Sequence, residues 1–155
     1  MKKIRVGLIG CGGRQNAHID ALLQMEDVEI AAVAEPVEER RVSAAEKTGA
    51  KRLYTNHTEL YEKENNQSID ALFIAVEPTA HDNIETRAIE LGIPFLVEKP
   101  MTLDLKQADT IVSMIREKKL ITAVGFQDRY LDLMERMKEE IPKHKTGGIV
   151  NGAWI

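Results

Sequence analysis

Val6-Gly7-Leu8-Ile9-Gly10-Cys11-Gly12-Gly13-Arg14, near the start of the chain, is the stretch on which the fold turns. Ile4, Val6, Leu8 and Ile9 form a short apolar run that reads as a buried strand. The run breaks into glycines, and a helical pattern follows from Gln15 to Met25. A glycine turn between a buried strand and a helix start suits a phosphate group. Glycine lets the backbone approach an anion, while helix N–H groups and the helix dipole face it. A tight structural turn is the other reading of the same residues.

Outward from that turn, strand and helix signals alternate. Val28 to Ala34 is apolar apart from Glu29. Pro36 suits a helix N1 position, and Gly49 would close that helix. Arg52 to Tyr54 is a weak strand, and Asn56 with Glu59 resembles a capping pair for a helix over 57–65. Ala71 to Val76, Phe95 to Val97 and Ile121 to Val124 read as further strands. Helices are expected around Ile84 to Leu91, Ala108 to Ile115 and Leu133 to Ile141. Continuous apolar strands separated by helices predict a doubly wound α/β fold. Its sheet is mostly parallel, with helices on both faces.

The chain has 155 residues, 43% hydrophobic and 30% charged, with a formal net charge of −4. This is enough chain for one domain with a core. The acidic balance argues against nucleic acid as a partner. No apolar run reaches the roughly 20 residues of a membrane span, and the first residues lack a signal-peptide core. A single cysteine, Cys11, fits a reducing, cytoplasmic setting. It reads as a filler of the turn, because no basic neighbour in sequence would activate it. No metal site is expected.

In doubly wound folds ligands bind beyond the carboxyl ends of the strands. Four clusters lie there. The first is Gly10-Cys11-Gly12-Gly13-Arg14-Gln15, in which Gln15 stands where a dinucleotide fingerprint has its third glycine. The second is Glu35, about twenty-five residues beyond Gly10. It suits an adenosine ribose and would repel a 2′-phosphate, favouring NAD over NADP. The alternative is a solvated carboxylate at a helix start. Arg40 and Arg41 lie nearby and read as exposed helix charges. The third is Ala75-Val76-Glu77-Pro78-Thr79-Ala80-His81, where Thr79 is a candidate cap and His81 would face cleft or solvent in the first helical turn. The fourth is Val97-Glu98-Lys99-Pro100. A lysine held extended before proline at a cleft mouth can bond a substrate hydroxyl or move a proton. The same residues also read as a surface ion pair near a turn.

Taken in order, these clusters resemble the Gfo/Idh/MocA family of sugar and cyclitol oxidoreductases. Glu98-Lys99-Pro100 is the most specific match, joined by the glycine turn, by Pro78-Thr79-Ala80-His81 and by Val124-Gly125-Phe126-Gln127-Asp128-Arg129-Tyr130. The resemblance implies hydride transfer between a nicotinamide cofactor, NAD with NADP as the alternative, and a secondary alcohol or ketone of a sugar or cyclitol. It implies that Lys99 is catalytic, that Glu98 lies beside the nicotinamide ribose, and that the Lys99–Pro100 bond is cis. Gly10, Gly12, Gly13, Arg14 and Gln15 would surround the pyrophosphate. Ala75, Val76 and His81 would line the cofactor, with Gln127 and Arg129 near its nicotinamide end. Glu77 departs from a common proline and is left out of this set. The family's chains are about twice this long. Residues 1–146 are therefore expected to be the nucleotide-binding domain, and 147–155 the start of an absent α+β substrate domain. The chain would then be a fragment, inactive alone, from a homo-oligomer. Two other readings stay open: a non-catalytic NAD-binding sensor or regulatory module, and a different dinucleotide-fold reductase.

Overall fold

The computed structural model describes residues 3–143. The expected strand at 147–155 lies outside the described residues. Two units are distinguished, Met1–Gly125 and Phe126–Ile155.

The first unit holds six parallel strands in the order β3-β2-β1-β4-β5-β6. They are β1 (Ile4–Ile9), β2 (Val28–Ala34), β3 (Arg52–Tyr54), β4 (Ala71–Ile74), β5 (Phe95–Val97) and β6 (Thr122–Val124). Between them run α1 (Gly13–Leu22), α2 (Glu38–Thr48), α3 (His57–Lys63), α4 (Ile84–Glu90) and α5 (Leu105–Lys118). This is the doubly wound fold the alternation predicts. The strand order reverses at β1, which pairs with β2 on one side and β4 on the other.

Strand side chains alternate between faces, so each apolar run feeds two cores. Val6, Leu8, Ile30 and Val33 pack with Ile19 and Leu22 of α1 and Ala44 of α2. Ile9, Leu72, Ile74, Phe95 and Val97 pack with Leu60 of α3, Ile84 and Ile89 of α4 and Ile111 of α5. Cores on both faces explain why the strands read as unbroken apolar runs rather than as alternating ones.

Several boundaries differ from expectation for identifiable reasons. Helix α1 starts two residues earlier, at Gly13, directly out of the glycine turn. Pro36 lies ahead of α2, whose N-cap is Val37. Asn56 caps α3 as expected, its side chain accepting from the Glu59 N–H at 2.9 Å, but the Glu59 carboxylate returns to Thr55 rather than to Asn56. Thr79 caps nothing: a turn closes from Ala80 N–H to Glu77 C=O, and α4 begins only at Ile84.

In the second unit a 3-10 turn, Gln127–Tyr130, precedes α6 (Asp132–Glu140). No described helix is long and apolar enough to cross a membrane.

Leu72 lies fully buried in β4 at the middle of the sheet. Leu72→Ala should cost about 2–5 kcal/mol of unfolding free energy in urea titrations, the range for truncating a large core side chain. A loss under about 0.5 kcal/mol, typical of a surface site, would contradict this packing.

Candidate functional site

Beyond the carboxyl ends of β1, β2, β4 and β5 lies a cavity of about 520 Å³. Its wall carries Gly10, Gly12, Gly13 and Arg14 from the first turn, Glu35, Val37 and Arg40 after β2, and Asn56 and His57 at the start of α3. Ala75, Val76, Glu77, Ala80 and Ile84 follow β4, while Glu98 and Lys99 follow β5. Four strand ends meet here because the order reverses at β1, which splays the connections to opposite faces.

The glycine turn is shaped by steric necessity. Gly10 has φ +84°, and a Cβ there would sit 2.4 Å from the Ala75 carbonyl oxygen. No L-residue fits. At Gly12 and Gly13 a Cβ would meet nothing within 4 Å, so the backbone opens to free space at the start of α1. Exposed helix-start amides, open room and the adjacent Arg14 guanidinium suit a diphosphate. The residues present fit a dinucleotide.

Glu35 is buried rather than solvated, at 4% exposure. Its Oε2 accepts from the Cys11 N–H at 2.7 Å and its Oε1 from the Val37 N–H at 3.0 Å. The carboxylate thus ties the end of β2 to the glycine turn and keeps further lone pairs for a ribose. Burial, and then the Glu35 charge, push the Cys11 thiol up to about 12. That removes it as a nucleophile near neutral pH. Arg40 and Arg41 are more than exposed helix charges. Arg40 lines the cavity beside Glu35, and Arg41 donates to the Glu35 carbonyl at 2.6 Å.

Glu98 and Lys99 do not form a side-chain ion pair. Glu98 Oε1 accepts from Arg14 Nε and from His18 Nε2, each at 2.8 Å, and Glu98 is 6% exposed. Lys99 is exposed at the cavity rim, with no side-chain partner among the described residues. The Lys99–Pro100 bond is cis, as expected.

Two expected residues lie elsewhere. Gln15 is fully buried and absent from the cavity wall. Because α1 begins at Gly13, Gln15 falls on its inner stripe with Ile19 and Leu22. Its amide is buried at the position where a fingerprint glycine would allow close helix–strand packing, and it has no hydrogen-bond partner among the described residues. His81 faces neither cleft nor solvent. It is 3% exposed and its Nδ1 bonds the buried Glu85 Oε1 at 2.6 Å, because α4 starts three residues after it. Gln127 and Arg129 belong to the second unit, where the Arg129 guanidinium lies 5.6 Å from the Tyr130 ring centroid.

Sequence reasoning missed His18 and His57, while Arg40, read as an exposed helix charge, and Glu77, left out of the expected set, both line the cavity. For His18 a signal existed: it stands four residues after Arg14, on the same face of α1. For His57 the Asn56 cap was the clue, since it places His57 at the first residue of α3.

Burial alone would raise the Glu98 carboxyl, but hydrogen bonds from Arg14 and His18 outweigh it and hold the group below its ordinary 4.5. A depressed folded value stabilises the fold above the unfolded value and loses that contribution as pH falls through the folded one. Glu98→Gln should therefore cost stability in urea at pH 7, with the gap to the parent narrowing below about pH 4. An equal gap at pH 7 and pH 3 would count against a charged Glu98.

Comparison with known proteins bears on the family and the fold. The family model described as "Oxidoreductase family, NAD-binding Rossmann fold" matches residues 4–126. Inositol 2-dehydrogenase of Corynebacterium glutamicum (strain R) is 29% identical over 153 residues, covering 96% of this chain and 44% of its own length. Among solved structures, the WlbA dehydrogenase of Bordetella pertussis, in complex with NADH and UDP-GlcNAcA, superposes with a TM-score of 0.84 at 26% identity. That match covers 94% of this chain and 44% of WlbA. The myo-inositol dehydrogenase of Lactobacillus casei, in complex with NAD(H) and myo-inositol, gives 0.81 at 28% identity, covering 91% and 42%. The chain spans less than half the length of these relatives. With the family model matching most of its residues, the chain belongs to the Gfo/Idh/MocA oxidoreductase family and carries that family's NAD-binding Rossmann fold.

Proposed function

We propose that this chain supplies the cofactor half of a dehydrogenase that moves hydride between NAD and a secondary alcohol or ketone of a sugar or cyclitol. The observation that carries the reading is the placement of Lys99. Its ammonium, unpartnered among the described residues, stands at the rim of the same cavity that the glycine turn lines. A purely regulatory nucleotide module has no use for such a lysine. The inositol and sugar dehydrogenases among the relatives support the substrate class.

Each residue then has a task. The helix-start amides at Gly12 and Gly13 and the Arg14 guanidinium bind the diphosphate. Glu35 accepts from the adenosine ribose, and its charge disfavours a 2′-phosphate, against which Arg40 acts as a moderating cation. Ala75 and Val76 pack against the cofactor. Gln127 and Arg129 are assigned to its nicotinamide end by resemblance. The bound nicotinamide supplies the hydride chemistry. Lys99 bonds the reacting hydroxyl and takes part in moving its proton, and it orients the carbinol carbon by the same contact. The partner acid–base groups and the substrate pocket are assigned to the length that the relatives have beyond this match.

Two measurements test this. Parallel calorimetric titrations of the 155-residue chain should show NAD binding more tightly than NADP; the reverse order would assign the adenosine end to Arg40 rather than Glu35. In an active protein containing this chain, Lys99→Ala should lower turnover of an inositol or sugar substrate by about 10²–10⁴-fold, the usual worth of a positioned proton-transfer group. NAD affinity should hardly change. Near-normal turnover would remove Lys99 from the chemistry.

A further inference from the structure

Glu98 neighbours the proposed catalytic lysine and accepts from its backbone N–H at 3.4 Å through Oε2, yet its side-chain partners are Arg14 and His18 of α1. We propose that Glu98 and His18 are positioning residues for Arg14: the Glu98 carboxylate, steadied by His18, aims the Arg14 guanidinium at the dinucleotide's diphosphate. This rests on the reading that the cavity holds a dinucleotide, and assigns Glu98 to the phosphate end rather than to the nicotinamide ribose.

The geometry is specific. Arg14 is anchored through Nε, 2.8 Å from Glu98 Oε1, while its terminal nitrogens have no partner among the described residues. An arginine gripped by Nε keeps its planar fork of terminal N–H groups for a second acceptor. Arg14 lines the cavity next to Gly12 and Gly13, so that fork stands where a diphosphate would meet the start of α1. The Arg14 side chain is 41% exposed, so without the anchor it would sample many rotamers and lose them on binding. Holding it beforehand removes that cost.

Glu98 is itself held from several sides. His18 bonds the same Oε1 at 2.8 Å, and its ring rests edge-on against Phe73 at 5.3 Å. Arg14 and His18 are four residues apart on α1, so one helix face presents both donors. Across the carboxylate lies Gly125, where a Cβ would come within 2.7 Å of Oε1. The carboxylate therefore occupies the space that a side chain at 125 would take, and any such side chain would displace it. A charge this buried persists because two donors share it.

The test compares ligands that share the diphosphate but differ at the nicotinamide end. The 155-residue chain is titrated with NAD, ADP and adenosine. Arg14→Ala should weaken ADP and NAD by about ten-fold, the worth of a charge-assisted contact, and leave adenosine unchanged. Glu98→Gln should weaken ADP and NAD equally, by about three- to ten-fold, as expected for releasing one rotamer-rich side chain. The double variant should lose no more than Arg14→Ala alone, since the two act through one contact. His18→Ala should follow Glu98→Gln, and His18→Gln, which restores a donor near the Nε2 position, should recover most of the loss. A Glu98→Gln loss confined to NAD would overturn the proposal in favour of a ribose contact. Tighter ADP binding by Glu98→Gln would overturn it by making Glu98 a competitor of the diphosphate. Should Glu98→Gln fail to fold by circular dichroism, the His18 pair decides: equal ADP affinity in His18→Ala and the parent overturns the proposal. A parent chain that binds neither NAD nor ADP would instead overturn the dinucleotide reading itself.

Discussion

The site depends on β1 being hydrogen-bonded by parallel strands on both sides. Ile4 to Ile9 pair with Val28 to Ala34 on one flank, and Val6 to Ile9 with Ala71 to Ile74 on the other. Parallel pairing needs crossovers, and the crossovers to β2 and to β4 leave on opposite faces. The chain leaving β1 therefore emerges where connections diverge. Gly10 passes so close to Ala75 that no side chain is tolerated, and the N-terminus of α1 is left facing open space.

Three carboxylates then divide the surroundings. Glu35 fastens the β2 end to the glycine turn through backbone amides. Glu98 fastens the β5 end to α1 through Arg14 and His18. Glu85, in the first turn of α4, holds the preceding His81, which is absent from the cavity wall. Each is nearly buried and each has a donor within 2.8 Å, the condition under which a buried carboxylate is tolerable. Lys99 is the contrast: exposed at the rim and unpartnered among the described residues, it is available to whatever enters. Its cationic charge beside a closed set of buried acids is what makes the rim chemically distinct.

Much of the fold was legible before any coordinates. Val28 to Ala34 and Ala71 to Ile74 announced buried strands because both of their faces are covered. Asn56 announced α3 through its cap. The misplaced starts share one cause: turns that local rules do not encode. The Glu77–Ala80 turn delays α4 beyond Thr79, and the glycine turn runs into α1 earlier than periodicity suggests. Gln15 could not be placed from its neighbours, because one residue of helix phase decides between cavity and core.

By itself, the sequence determined the strand–helix alternation, the glycine turn at residues 10–13 and the Glu98-Lys99-Pro100 signature, since these rest on local periodicity and contiguous residues. Only the tertiary structure decided what the charged groups do. Glu98 meets Arg14 and His18 across 84 and 80 residues of chain, and Glu35 meets Cys11 across 24. Partners that distant are chosen by strand order, not by spacing. For that reason the adjacent Glu98 and Lys99, which also read as a surface ion pair in one dimension, have separate surroundings in three: Glu98 is buried against Arg14 and His18, and Lys99 is exposed at the cavity rim.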